Sequence, residues 1–498
     1  MESIHAAVHT TELGRHRWQI LILSSVGMFV GTMLTTIVAV ALPEPEVGIA
    51  PSLGLTYSQA LWVQAIYPLT MAICFIPVGR LAQKAGLLRF YLLGLAINGC
   101  FSVACGLAFS GPFLIAMRCF QASGGAMMSA TAMALVTTVF PPQERGRGLG
   151  FNAMAGYLGL TVGPPLGGVI VSHVSWHWIF FVSIPLIVGT LIWGWFFLGA
   201  ERRDRAAANQ TTSFRGGARL DLVGTALLAI ALTCLMVPLI SVPFWGWTSP
   251  LTLGLVGGSV VLMAAFVLVE LRVHDPVLDL NLVRKNRVFA AGTVAALLNY
   301  AAVYGVTLLT AAFLEIVEGV SAGKVGLVLL ASPILIVAFS AFFGRLSDRI
   351  GQRIPATAGM LLSGAGTMQL GLLSSPAPLW RVIMALCFVG LGMAAFSSPN
   401  SSSVMGTVKR TELSLASGFL GTMRTGGQAV SIGLLGAIAA SSLGPTGGRV
   451  LFLGEKASAA AAETFSGGYR TAMLVAAGLA VVGALVSMVR GPRETPSE

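Results

Sequence analysis

Charge is what this chain has least of. Of its 498 residues, 10 % are Asp, Glu, Lys or Arg and 55 % are hydrophobic. A soluble globular surface needs about 25 % charged residues, so that class is excluded. Acidic residues are scarcest of all inside the apolar runs, whose middle thirds hold no Asp or Glu. The six cysteines (Cys74, Cys100, Cys105, Cys119, Cys234, Cys387) fall inside those runs without metal-ligand spacing. They read as small apolar side chains rather than as a disulfide framework or a zinc site. No GxxxxGK[ST] loop is present, which disfavours nucleotide-driven pumping. The runs carry no His/Asp/Glu cluster and no Ser/His or Ser/Lys pair that stands out, so the chain is read as a non-enzyme without metal or cofactor. A signal peptide is not expected, because 18–42 is too long for its apolar core.

What the sequence does have is a succession of apolar runs of roughly 20 residues, the length that crosses about 30 Å of hydrocarbon as a helix. The runs are read as spans at 18–42, 57–79, 88–108, 111–139, 148–172 and 177–199, then 220–241 and 250–271. The last six are 288–312, 324–344, 355–374, 379–400, 414–440 and 470–490. The fold class is therefore an all-α polytopic membrane protein. The net charge of +11 is no nucleic-acid footprint, since its charges cluster in short segments between runs. With the N-terminus inside, 23 of the 30 basic residues lie on the cytoplasmic side and five outside, while Arg118 and Arg424 fall within spans. That asymmetry places both termini in the cytoplasm.

The chain also repeats. Gly79-Arg-Leu-Ala-Gln-Lys-Ala-Gly86 after span 2 answers Gly344-Arg-Leu-Ser-Asp-Arg-Ile-Gly351 after span 10. Aligning them gives two equivalent six-helix bundles, 18–199 and 288–490, with an inserted helix pair at 220–271. A tail (1–17), a basic linker (200–219, read as mobile), a loop (272–287) and a second tail (491–498) complete the division. Parallel repeats of this kind belong to carriers that open a central site alternately to each side. The outer loop 441–469 is Gly/Ala/Ser-rich and receives no role.

Span 5 stands apart. Gly156, Gly159, Gly163 and Gly167 form a small-residue seam suited to close helix approach, interrupted by Pro164 and Pro165. It is read as the packing element, and the possible hinge, around which two halves move.

These motifs resemble the major facilitator superfamily, specifically its fourteen-helix drug:proton antiporter branch, over nearly the whole chain. Gly163-Pro164-x-x-Gly167-Gly168 is similar to the antiporter motif of span 5. Arg118-x-x-Gln121-x-x-Gly124 resembles the span 4 motif, with Ala122 where glycine is usual. Thr36 to Pro43 and Trp62 to Tyr67 resemble parts of the span 1 and span 2 motifs. Two departures stand against these. Relatives usually carry an aspartate, taken as the proton carrier, at the position of Leu34, and an asparagine at that of Ala39. The motif after span 2 has Gln83 for an aspartate and Leu87 and Leu88 for basic residues, whereas its counterpart keeps Asp348, Arg349 and Arg353. A carboxylate there can cap a helix N-terminus and latch the cytoplasmic side.

The resemblance implies efflux of hydrophobic or amphipathic small molecules across a bacterial inner membrane by alternating access, driven by proton entry. The alternative is a lipid, siderophore or metabolite exporter with weak or no proton coupling. The residues expected to shape the substrate site are Thr35, Thr36, Trp62, Tyr67, Arg118, Gln121, Asn299, Tyr300, Tyr304, Phe396 and Asn400. Glu44, Glu315, Glu318 and Arg118 are the candidates for proton coupling, the three glutamates having solvated mouth residues as their plainer reading. A buried Arg118 cannot shed its proton. Glu44, Glu315 or an anionic substrate could face it, or it bonds only carbonyls and Gln121. Conformational roles are expected for Gly159, Gly163, Pro164, Gly167, Gly168, Gly344, Asp348, Arg349, Gly351 and Arg424. The partners implied are small lipophilic substrates, protons and the bilayer, with the protein acting as a monomer.

Overall fold

Helix occupies every segment in which a span is expected. The structure, a computed structural model, describes residues 15–42, 47–140, 144–211, 222–273, 283–284, 286–408, 413–441 and 459–489. The N-terminal half comprises α1 (Arg17–Ala41), α2 (Tyr57–Ala85), α3 (Leu87–Gly106), α4 (Gly111–Val139), α5 (Arg145–His173) and α6 (Ile184–Trp195). The inserted pair is α7 (Leu222–Trp245) and α8 (Pro250–Glu270). The C-terminal half comprises α9 (Arg287–Ala312), α10 (Ala331–Ile350), α11 (Arg353–Gly371), α12 (Leu379–Gly406), α13 (Leu413–Ser441) and α14 (Ala459–Met488). Among the described residues, ten helices are long and apolar enough to cross a membrane.

The helix ends follow local chemistry. Thr56 and Gln59 form a reciprocal capping box at the start of α2. Asn286 accepts from the Val288 and Phe289 amides at the start of α9 and donates to the Thr407 carbonyl at the end of α12.

Three expectations about helix ends need correction. Residues 80–85 and 345–350, expected as loops, continue α2 and α10 as helix; only Gly86 (φ 105°) and Gly351 (φ 86°) break the chain, in backbone conformations that favour glycine. The linker expected to be mobile from 200 begins instead as a helix, Leu198–Thr211. The last helix starts at Ala459, not at 470, because its alanine-rich first turn is a strong helix former despite its place in a Gly/Ala/Ser-rich loop. Its added turns are anchored: Phe313 stacks on Tyr469 at 4.5 Å, and the Tyr469 hydroxyl lies 3.1 Å from that of Thr310.

The apolar core is divided unevenly along the helices. At the end far from the termini, one continuous core takes Ile37, Leu42, Leu61 and Val63 from one half and Val306, Leu309, Leu314, Ile432 and Phe465 from the other. Leu42 and Leu61 face Leu308, Leu309 and Phe465 around a small apolar void at this junction. Toward the termini the apolar clusters divide, although α2 and α13 stay in contact there: the Thr422 hydroxyl donates to the Ala72 carbonyl at 3.4 Å and Gly421 lies against the Phe75 ring. Ile20, Leu34, Leu92, Met128 and Phe140 form a core belonging to the N-terminal half alone. Phe289, Met360, Phe396 and Phe419 form another with Leu228 of α7 and Phe266 of α8. The apolar core is thus shared by the two halves at one end and divided between them at the other.

Candidate functional site

Helix α5 holds the halves in register. A Cβ built at Gly159 would strike the Phe29 carbonyl and the Thr32 hydroxyl, and one at Gly163 the Thr36 hydroxyl, all on α1. At Gly167 it would lie 2.7 Å from the Ile37 carbonyl. The other face of α5 meets the opposite half: a Cβ built at Gly168 would lie 2.6 Å from the Ala322 carbonyl, and one at Gly326 would lie 2.7 Å from the Pro164 carbonyl. Helix continues through Pro164 and Pro165. Close backbone approach on two faces is what small residues provide between membrane helices.

Between the halves lie two arginines, each against a tyrosine ring. Arg118 of α4 is 0 % exposed. Its Nε donates to the Val63 carbonyl at 2.8 Å and its Nη1 to Gln121 Oε1 at 3.3 Å. Gln121 is itself oriented, because its Nε2 donates to the Ser102 hydroxyl at 2.6 Å. The Arg118 guanidinium sits 5.1 Å from the Tyr67 ring and 5.9 Å from that of Phe180. Its Nη2 is buried without a hydrogen-bond acceptor. The polar groups close enough to act on its charge are Cys105, Tyr67 and, from the opposite half, Tyr304, whose hydroxyl lies beside Thr35.

Arg424 of α13 mirrors this arrangement. Its guanidinium is 5.0 Å from the Tyr300 ring, one turn of α9 away from Tyr304. The groups acting on its charge are Tyr300 and Tyr157, the latter on α5 of the N-terminal half. Tyr157 packs with Tyr300, Ile336 and Met393, and its hydroxyl hydrogen-bonds that of Ser397 on α12. Each arginine therefore lies against a tyrosine ring of its own half, Tyr67 for Arg118 and Tyr300 for Arg424.

The structure brings together Thr35, Tyr67, Arg118, Gln121 and Tyr304 in one group, and Tyr300 and Arg424 in the other. Asn299 is buried beside Tyr300, its amide nitrogen donating to the Met393 sulfur at 3.1 Å. Asn400 is also buried. Three expected site residues are placed elsewhere. The Thr36 hydroxyl bonds carbonyls of its own helix and faces Gly163. Trp62 packs on the far-end core and on Leu69, Met236 and Leu239 beside α7. Phe396 is in the terminal-end core of its own half, in one cluster with Ala356 and Met360 of α11.

The carboxylates also differ from the plain reading. Glu315 is 4 % exposed, buried in a π-helical turn (Phe313–Val317) that ends α9, so it is no solvated mouth residue. Glu318 accepts from the Ala377 amide at 3.1 Å. Leu34, where relatives carry an aspartate, is 0 % exposed inside an apolar core, leaving no polar niche there. Glu44 lies outside the described residues. The side chains of Gln83 and Asp348 are likewise not described; Gly344 meets the Ser398 hydroxyl, and Arg349 is exposed.

Tyr157, Ser397, Ser102 and Glu201 escaped the sequence reading. Tyr157 lay within the glycine seam and was visible there as an aromatic in a row of small residues. Ser102 had no signal beyond being polar in an apolar run. Glu201, read as linker, is buried and accepts from the amides of Leu88 (2.8 Å) and Arg89 (3.3 Å) at the start of α3.

Comparison with known proteins agrees with this architecture. The family model described as Major Facilitator Superfamily matches residues 24–310 and 288–498. The multidrug resistance protein Stp of Mycobacterium tuberculosis is 32 % identical over 86 % of this chain and 76 % of its own length. The riboflavin transporter RibZ of Clostridioides difficile is 30 % identical, over 82 % of this chain and 85 % of its own. A tetracenomycin C resistance and export protein of Streptomyces glaucescens is 28 % identical, over 86 % and 77 %. Among solved structures, a bacterial homolog of the human lysosomal transporter Spinster, crystallised inward-facing and unoccupied, superposes with a TM-score of 0.65 at 16 % identity, covering 95 % of this chain and 96 % of that one.

Proposed function

The chain belongs to the major facilitator superfamily, and from that premise we propose that it exports hydrophobic or amphipathic small molecules by alternating access, exchanging them for protons. The observation that carries this reading is the divided core. One end is sealed by side chains of both halves, and the other is two separate cores. A carrier caught with one gate closed and the other open has this arrangement.

Orientation supplies the direction. The basic residues favour the terminal end as cytoplasmic, so this state opens inward and is the loading state of an exporter. The relatives named for drug resistance and export support efflux, and the riboflavin transporter supports a planar aromatic cargo. In the central layer Tyr67, Tyr157, Tyr300 and Tyr304 offer aromatic faces with hydroxyl tips. Such surfaces hold greasy substrates of varied shape, with few fixed polar contacts.

Proton coupling needs a carboxylate whose surroundings change with the cycle. Glu315 fits that need best: it is buried, and it sits at the sealed end in an irregular π-helical turn. A substrate-gradient carrier is the second reading, favoured by Leu34 standing in an apolar core where the aspartate would be. Transport in proteoliposomes, with and without an imposed pH gradient, separates the two. Accumulation driven by the gradient alone supports antiport, and a flat response overturns it.

A further inference from the structure

Among the described residues, Arg118 and Arg424 lie between or within the halves with no carboxylate facing either. Arg118 is fully buried, and a guanidinium cannot become neutral to escape the cost of burial. Its neighbours are a backbone carbonyl, an amide, a thiol and tyrosines. Gln121 cannot turn to offer more, since Ser102 fixes its amide. One guanidinium nitrogen, Nη2, has no acceptor at all. Arg424 is half-buried where the two halves meet and interacts with Tyr300 and Tyr157. Among the described residues no carboxylate acts on either arginine. Tyr300 and Tyr304, one helical turn apart on α9, join the two positions into a single strip.

From this we infer that the transported molecule is an aromatic anion, whose negative group is held by Arg424 on entry from the open end and whose ring lies against Tyr300 and Tyr157. This rests on the export reading above and names the class of cargo for the same site. Burial makes an unpaired charge costly, and an ionised ligand that supplies the missing counter-charge gains a charge-assisted hydrogen bond. The tyrosine rings packed beside Arg424 favour a planar ring over a small inorganic anion. Arg118, deeper toward the sealed end, supplies the second positive position met after the halves close behind the cargo. A cationic substrate would meet two positive groups with no compensating charge and would be disfavoured.

The test uses two xanthene dyes of one ring system, fluorescein as the anion and the cationic ethyl ester of rhodamine. Binding to the purified full-length protein is read by fluorescence anisotropy at neutral pH, and export by dye movement in everted vesicles. Fluorescein should bind the wild-type protein at least about tenfold more tightly than the cation, a comparison that needs no variant to fold. Arg424→Gln should weaken fluorescein binding about tenfold or more, and Arg424→Lys should recover part of the loss, with thermal unfolding of each variant in detergent confirming an intact fold. Tighter binding of the cationic dye, binding of neither dye, or an unchanged affinity in a folded Arg424→Gln protein would each overturn the anion assignment. Export of the cationic dye alone would overturn it while leaving the export reading intact. Arginine-dependent fluorescein binding without export would keep the anion site and overturn export.

Discussion

The hydroxyls of Tyr157 and Ser397 hydrogen-bond across the boundary between the two halves, joining α5 to α12 in the central layer. Toward the termini the cores on either side of this contact are separate; away from the termini they are one. The bond therefore sits at the division between the packed end and the open end. A polar contact of this kind can break and re-form without exposing a large apolar face. If it helps define the open state, Tyr157→Phe and Ser397→Ala should change the transport rate in the same sense. The double variant should be no worse than either single one, because both remove one shared interaction. Initial rates in vesicles measure this; additive effects would show that the two hydroxyls act separately.

The α1–α5 seam gives a steric prediction. Gly163 has no room for even one methyl group, because the Thr36 hydroxyl and the α1 backbone occupy that position. Gly163→Leu should lower transport to below about a tenth of wild type while the protein still reaches the membrane, since overpacking costs about 1–3 kcal/mol and displaces α1 from α5. Immunoblots of membranes alongside vesicle transport test it. Gly150 has open space around its Cα and provides the control: Gly150→Ala should transport normally.

Glu201 answers a question raised by the sequence. The motif after span 2 has Gln83 where relatives carry aspartate, yet a carboxylate from the linker helix caps the start of α3. It satisfies two amide donors that the helix leaves open and complements the positive end of the helix dipole. Glu201→Ala should lower stability by about 1 kcal/mol or more, seen as a fall of a few degrees in the thermal unfolding of the detergent-solubilised protein. Glu201→Gln, which keeps one acceptor, should lose less.

Coupling is tested at Glu315. Glu315→Gln should abolish accumulation driven by an imposed pH gradient while exchange of labelled for unlabelled substrate continues, because exchange needs no net proton movement. Glu318→Gln should lose less, as its carboxylate is committed to the Ala377 amide. A gradient response that survives Glu315→Gln would assign the proton elsewhere.

Much of this molecule was legible in its sequence, for physical reasons that differ from feature to feature. Apolar run length marks membrane helices, since lipid offers no partner for free backbone groups, and helix lies at every expected segment. The glycine spacing of α5 announced a close neighbour, and α1 fills it. Arg118 and Gln121, three residues apart, had to share one helix face, and they hydrogen-bond. Helix ends were less legible: Arg80 to Ala85 and Arg345 to Ile350 are polar enough to read as loops, yet they continue helices beyond the apolar runs. Pairings across the chain were not legible at all. Nothing in the local sequence of Tyr157 points to Ser397, 240 residues away, and nothing in a basic linker points to Glu201 capping α3.

The central claim is that the sealed and separated ends exchange roles during transport. Electron paramagnetic resonance tests it most directly, on a functional cysteine-free protein carrying spin labels in pairs. One pair, Thr138 and Ile354, reports the separation of the halves at the terminal end; the other, Ser52 and Leu379, reports it at the far end; all four are exposed helix-terminal positions. Adding an exported substrate together with a pH step should shorten the Thr138–Ile354 distance and lengthen the Ser52–Leu379 distance in the same molecules. Two distances that stay fixed, or that lengthen together, while the labelled protein still transports would contradict alternating access between these two halves.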